Sequence, residues 1–417
     1  MFIMSISRVV FFHTIFALAF RTVSGLTIER GAFIQRAKAF FSIGALTHSS
    51  SLIPKMSTDV TSAKPTMQVP KSVGSDQIVA YRSFRVPIEG YGVEVPVAVW
   101  YPTAKKGTSL SVAAGSSVKY AHSISVRRIG QLLCGWNLPS FLQKSYDLSP
   151  FLGEYVIEDS EDASMLSSGD APVIVLAHGY LGSRFDMCHL AECLAQEGFV
   201  CISPEYPESL AASYERMDGL ERSMITPKVM NHVIEELGIT GTRRGIVGHS
   251  LGCGTAINTG DISWARVCIA GYAANQGGQA DGAVLFILSV NDGAMPLNRL
   301  RDRIPSDFVQ FGDDSPLVRP MDFEVAQDSP SEHNQFPMKT AVIFERRDAP
   351  NHISFLSDGV NNAMIDLLSP LLPVAQALKI PVLDFDKYKI SQDSAPTAEI
   401  VIPMVRSFLK QNLMSGE

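Results

Sequence analysis

The sequence predicts an α/β fold with a mostly parallel central sheet covered by helices on both faces. Three observations predict it. From Pro172 onward, short uninterrupted apolar runs alternate with helix-length segments. Fully buried parallel strands read as continuous apolar runs, because both of their faces are covered. Glycines stand where the helical patterns stop, at Gly198 and Gly238, as helix ends favour. Finally, two strand-like stretches lie ahead of this pattern, and no internal repeat interrupts it.

The elements follow in chain order. Tyr81–Val86 and Val93–Pro102 read as antiparallel opening strands. Thr103 to about Asp170 lacks clean strand signals and reads as an insertion with helical patches between Val118 and Leu142. Val173–Ala177 reads as a buried strand, Met187–Gln196 as a helix and Phe199–Pro204 as the next strand. Pro227–Leu237 reads as a helix ended by Gly238. Gly245–Val247 is a strand and Gly252–Asn258 a helix; Val267–Ala270, Val284–Val290 and Ala341–Phe344 are further strands. Ile365–Leu378 looks helical but carries Pro370 and Pro373, which must interrupt it. A last helix lies near Val401–Leu413. Such alternation of strands and helices implies a parallel sheet wound on both sides. Residues 103–170 and 295–338 are read as inserted, lid-like segments.

Composition narrows the class. The 417 residues are 46% hydrophobic and 18% charged, enough apolar material for a large core, and the net charge is −7. No basic stripe follows the N-terminal segment, so no nucleic-acid partner is expected. Six cysteines are scattered without a CxxC pair or zinc spacing and read as small core residues. Neither a metal nor an organic cofactor is expected.

Residues 1–75 read as targeting and linker rather than fold. Arg8 precedes the apolar run Val9–Ala19, the length of a signal-peptide core, and Ala17-Leu18-Ala19 is a small-x-small cleavage site before Phe20. Residues 1–19 are therefore read as a signal peptide. Residues 20–75 continue with Arg21, Arg30, Arg36 and Lys38 against the single acid Glu29 in the first part, then a Ser/Thr/Lys/Pro-rich linker. The combination resembles the bipartite plastid signal of algae with secondary plastids; the alternative is secretion or an endomembrane location. Residues 76–417 are read as one domain.

Chemistry centres on Gly248-His249-Ser250-Leu251-Gly252, which lies between a strand pattern and a helix pattern. A serine on a sharp strand-to-helix turn presents its hydroxyl above the sheet edge. Acyl transfer then needs a base, an acid behind the base, and N–H donors for the developing oxyanion. In chain order Ser, acid, His, the base can be only His333 or His352. His333 sits in a polar loop, whereas His352 follows the last strand pattern, so His352 is the candidate base. Asp292, just past the strand ending at Val290, is the candidate acid, with Asp313 and Asp314 as rivals. The backbone N–H of Leu251 is one candidate oxyanion donor, and that of Tyr180, in the His178-Gly179-Tyr180-Leu181 loop after Val173–Ala177, is the other.

These segments carry a resemblance. Pro172–Ser209, Val97–Pro102, Gly248–Gly252 and His352–Leu356 resemble the dienelactone-hydrolase-like and platelet-activating-factor-acetylhydrolase-like branch of the α/β-hydrolases. The His-Gly-Tyr-Leu loop also resembles chlorophyllases. The resemblance implies Ser250 as nucleophile, His352 as base, and Tyr180 and Leu251 as oxyanion donors. Two departures stand out. The acetylhydrolases place their acid one strand earlier, where this chain reads Cys268-Ile269-Ala270-Gly271-Tyr272, and plant chlorophyllases usually have Arg where this chain has Leu251. The resulting expectation is a serine carboxylic-ester hydrolase acting on a small hydrophobic ester, with peripheral membrane association left open. Chlorophyll's phytyl ester and a plastid glycerolipid or phospholipid are the two candidate substrates; a hydrolase-fold ligand receptor is the non-enzymatic alternative.

Overall fold

The computed structural model describes residues 77–106, 118–134, 139, 141, 143–159, 166–211, 220–272, 281–301, 304–315, 317–318, 335–368 and 393–414. Residues 1–75, read above as targeting segment and linker, and His333 lie outside them. The chain divides into two compact units, 1–68 with 126–142, and 69–125 with 143–417. Within the first, the described helix is α1 (Val126–Cys134).

The second unit is built on a ten-stranded sheet. Its strands are β1 (Gln77–Ile88), β2 (Val93–Lys106), β5 (Val156–Glu158), β6 (Val173–Ala177), β7 (Val200–Pro204), β8 (Arg244–His249), β9 (Ala265–Ile269), β10 (Val284–Ser289), β11 (Val309–Phe311) and β12 (Lys339–Phe344). Their spatial order is β11-β12-β10-β9-β8-β6-β7-β2-β1-β5. From β7 to β11 every pairing is parallel, and β2 joins antiparallel to both β1 and β7. A separate antiparallel pair, β3 (Tyr120–Ser125) with β4 (Gln143–Leu148), lies in the first insertion.

Helices α2 (Cys188–Gln196), α3 (Arg222–Glu236), α4 (Gly252–Asn258), α5 (Leu297–Leu300), α6 (Asp358–Leu368) and α7 (Ser394–Leu413), with a short 3₁₀ turn at Gly153–Tyr155, complete the described elements. Alternation along β6 shows how the two faces are used. Ile174 and Leu176 join a core that includes α2 and α7; Val173, Val175 and Ala177 join one that includes α3 and α4. All five are buried, and each large apolar side chain so removed from water contributes about 1.5–3 kcal/mol. This is the α/β-hydrolase fold.

Several elements depart from the sequence reading. Arg222–Glu236 is longer than the expected helix: its first residues precede Pro227, which lies inside rather than at the start. The helix read at Ile365–Leu378 begins earlier, as part of Asp358–Leu368, while residues 369–378 lie outside the described set. The first insertion contains β3, β4 and β5, and the second contributes the edge strand β11. These strands are only three to six residues long, and β4 and β11 are largely exposed, so no apolar run marked them.

Sheet order positions the site. β7 lies on one side of β6 and β8 on the other. The chain therefore reverses winding direction beside β6, and the crevice at such a switch point lies beyond the strands' carboxyl ends. The loops after β6, β8, β10 and β12 emerge along that edge.

Candidate active site

Ser250 follows β8 directly and takes φ +55°. A left-handed backbone costs a non-glycine residue about 1–2 kcal/mol, so the surroundings must hold it. Ser250 N–H donates to the Ile269 carbonyl at 2.9 Å, and its own carbonyl accepts from Cys253 N–H at 3.0 Å. Gly252 permits the close approach behind the turn: a Cβ there would collide with the Ala177 carbonyl oxygen of β6. Glycine two residues after the serine is thus a packing requirement of neighbouring β6.

The loops after β10 and β12 form a second assembly. His352 Nδ1 lies 2.9 Å from Asp292 Oδ2. Asp292 Oδ1 is already taken by the N–H groups of Ala294 (2.9 Å) and Met295 (2.7 Å), which leaves Oδ2 to face the imidazole. A carboxylate can only accept, so the His352 nitrogen that faces it, Nδ1, is the donor. Asn351 Oδ1 accepts from the Ile353 and Ser354 N–H groups, shaping the turn that carries His352. Asn291 Nδ2 donates to the Arg347 and Ala349 carbonyls, both at 2.8 Å, and Ser289 Oγ donates to the Pro350 carbonyl at 2.5 Å. Those bonds lock the loop that carries Asp292 to the one that carries His352. The rival carboxylates are occupied elsewhere. Asp313 Oδ2 accepts from the Glu345 and Arg346 N–H groups, and exposed Asp314 pairs with Arg346 at 3.3 Å.

His249 links the two assemblies. Its Nε2 lies 3.0 Å from the His352 carbonyl, and the two rings are 4.8 Å apart. The carbonyl requires a donor, so Nε2 holds the proton. Burial, with a smaller contribution from nearby His352, pushes the His249 pKa down to about 3.

The third assembly is the loop after β6. Gly179–Gly182 forms a tight turn closed by Gly182 N–H on the Gly179 carbonyl at 3.3 Å, with Leu181 at φ +58°. Gly179 lies against Ser250: a Cβ there would sit 3.1 Å from Ser250 Cβ. Fully buried His178 accepts the Tyr206 N–H at Nε2 (2.9 Å), so its Nδ1 is protonated and donates to the Gly179 carbonyl at 2.8 Å. Its Nε2 also lies 3.7 Å from buried Glu205. That contact is not an ion pair, because Nε2 is occupied as an acceptor and burial holds the imidazole pKa well below its ordinary value. Glu205 pairs instead with Arg184 at 2.9 Å.

Leu251 directly follows Ser250, Tyr180 follows Gly179 on the loop after β6, and both residues are substantially exposed, at 43% and 41%. Among the described residues the Leu251 N–H donates to no protein acceptor. The structure therefore brings Ser250, His352, Asp292, Tyr180 and Leu251 to one edge of the sheet. Sequence reasoning missed the bracing residues His178, Arg222, Asn291 and Asn351. Their partners are mostly backbone carbonyls and N–H groups, which leave no residue-type signature. Among the described residues, no cluster of His, Cys, Asp or Glu is arranged to hold a metal ion, and no helix is long and apolar enough to cross a membrane.

No family model matches the sequence, and no curated protein matches it. Among solved structures, the chain is similar to a ferulic acid esterase from Streptomyces cinnamoneus, at 14% identity and TM-score 0.39, covering 84% of this chain and 92% of that one. It is also similar to an esterase from Pyrococcus furiosus, at 10% identity and TM-score 0.33, covering 70% and 90%. At these values neither likeness carries an activity across.

Proposed function

We propose that the protein is a serine carboxylic-ester hydrolase working through an acyl-enzyme. The observation that carries this reading is Ser250 at φ +55° on the β8–α4 turn, at the same edge of the sheet as a buried Asp292 that holds His352 by Nδ1. In this mechanism Ser250 Oγ attacks the ester carbonyl and its proton passes to His352 Nε2. Negative charge develops on the carbonyl oxygen, facing the Tyr180 and Leu251 N–H groups. The C–O bond to the alcohol then breaks, and His352 returns the proton to the departing oxygen. Water, deprotonated by His352, attacks the acyl-enzyme and releases the acid and free Ser250.

An exposed Tyr180 and Leu251 beside the nucleophile support a hydrophobic ester. The phytyl ester of chlorophyll is the proposed substrate, motivated by the plastid-type targeting pattern of the N-terminus and the His178–Leu181 loop. The second reading is a plastid lipid acyl hydrolase. Leu251 favours it, standing where the chlorophyllase pattern has Arg. Incubation with chlorophyll, galactolipid and short-acyl phospholipid, with acid and alcohol products identified, separates the two.

Ser250→Ala is expected to lower hydrolysis of a short p-nitrophenyl ester by about 10³–10⁶-fold, with an unchanged circular dichroism spectrum. The wild-type protein should also label with a fluorophosphonate and the variant should not. Near wild-type turnover in Ser250→Ala would remove the serine from the mechanism. Failure of the folded wild-type protein to label would favour the receptor.

A further inference from the structure

The side chain of Arg222, the first residue of α3, reaches both halves of the oxyanion site. Its Nη1 donates to the His178 carbonyl at 2.7 Å, and Nη2 lies 3.4 Å from the Gly179 carbonyl. Nη1 also lies 3.4 Å from Thr255 Oγ1 on α4, the helix that starts directly after Leu251. Nε donates to Glu208 Oε2 at 3.0 Å, and the guanidinium lies 4.4 Å over the Tyr206 ring. Glu208 in turn accepts the Leu181 N–H on its backbone carbonyl at 3.1 Å. One largely buried cation therefore holds the start of the loop, while its carboxylate partner's backbone holds the end.

We propose that Arg222 is a positioning residue that orients the Tyr180 N–H and sets its spacing from the Leu251 N–H, the two donors assigned to the oxyanion. The role rests on the ester-hydrolase reading given above. The physical step is the planarity of the peptide bond. The Gly179 carbonyl and the Tyr180 N–H belong to one trans peptide, so they point in opposite directions. Gripping the carbonyl from beneath aims the N–H away from Arg222. Three donors grip it: His178 Nδ1, the Gly182 N–H and Arg222 Nη2. Arg222 is the charged one, and its Nη1 also reaches Thr255 on α4. A planar fork can hold two neighbouring carbonyls together, which a lysine ammonium cannot reproduce. A substrate carbonyl becomes an oxyanion only in the transition state, so a misaimed donor should lower kcat while leaving KM nearly unchanged.

The test compares the full-length wild-type protein with Arg222→Met, which keeps the apolar stem, and Arg222→Lys, which keeps the charge. Measurements are kcat and KM on p-nitrophenyl butyrate, Ki for a trifluoromethyl ketone that adds Ser250 Oγ to form a tetrahedral oxyanion, and the melting temperature. Arg222→Met is expected to lower kcat by about 10–100-fold, less than or equal to the loss of a whole oxyanion donor. KM should stay within about twofold, and Ki should rise in parallel with the fall in kcat. Arg222→Lys should fall between the two. An unchanged kcat and Ki in Arg222→Met, even with a lowered melting temperature, would show a purely structural role and overturn the proposal. If Arg222→Met does not fold, unchanged kcat and Ki in Arg222→Lys would overturn it. Wild-type protein that neither turns over nor binds the ketone would instead remove the hydrolase reading, and this role with it.

Discussion

The proposed acid–base corner, at Asp292 and His352, and the proposed oxyanion corner, at the loop after β6, lie on the same edge of one sheet but are held in different ways. At the acid–base corner, Asp292 and His352 are braced by neutral side chains next to them in sequence: Ser289, Asn291 and Asn351. Each binds backbone of its own loop or the facing one. The oxyanion corner depends on charged residues from elsewhere in the chain, with Arg222 and Glu208 clamping a loop that begins at His178. The difference follows from what each corner presents. A carboxylate and an imidazole are oriented by turns that their own neighbours can form. An N–H donor has no side chain to grip, so the fold must hold the opposite end of its peptide.

Three substitutions test that contrast. The largest effect is expected at the acid–base corner, where Asp292→Asn replaces an acceptor with an amide that can impose the wrong tautomer on His352. A loss of about 10³–10⁴-fold in kcat is expected, the scale for a triad acid, while Asp314→Asn stays near wild type. Equal losses in both variants would mean that Asp292 is not the orienting acid.

A smaller effect is expected at the oxyanion corner. Gly179→Ala places a methyl group 3.1 Å from Ser250 Cβ and 3.3 Å from His249 Nδ1. Those neighbours must give by a few tenths of an ångström. A misplacement of about 1 Å can cost about 10²-fold, so this smaller shift should lower kcat by less than that, with little loss of melting temperature. A large stability loss with unchanged kcat in the folded fraction would make the contact one of packing alone.

The smallest effect is shared by both corners, because each encloses a neutral histidine, His178 or His249. Burial lowers the folded pKa of His249 to about 3, below the ordinary value near 6.5. The unfolded chain therefore takes up the proton first. Stability from this group is complete above about pH 6.5 and is lost as the pH falls toward 3. For one such group the loss at pH 5 is about 2 kcal/mol. His249→Gln, which retains an N–H donor for the His352 carbonyl, should show a smaller drop in chemical-denaturation free energy between pH 7 and pH 5. Identical slopes for variant and wild type would exclude His249 as a contributor.

The legibility of these regions differed for physical reasons. Central strands were readable because burial on both faces demands unbroken apolar runs such as Val173–Ala177. The short strands β3, β4, β5 and β11 were not, since pairing at an edge or in an insertion imposes no such demand. Ser250 was legible because the turn leaves glycine at 252, and His352 because chain order left few candidates. Asp292 could be ranked above Asp313 and Asp314 by its place after a strand. What those two rivals do, one capping backbone amides and the other pairing at the surface, required the fold. Arg222 was not legible at all. Nothing in Leu220-Glu221-Arg222-Ser223 distinguishes an exposed helix-start arginine from one that reaches carbonyls 44 and 43 residues earlier.

By itself, the sequence determined the winding of the sheet and the candidate residues at its edge, because burial and turn geometry act through local residue types. Only the tertiary structure decided which carboxylate meets His352 and what holds the Gly179–Tyr180 peptide. Hydrogen bonds to backbone carbonyls join distant segments and can be satisfied by many residue types, so they leave no local pattern from which to read them.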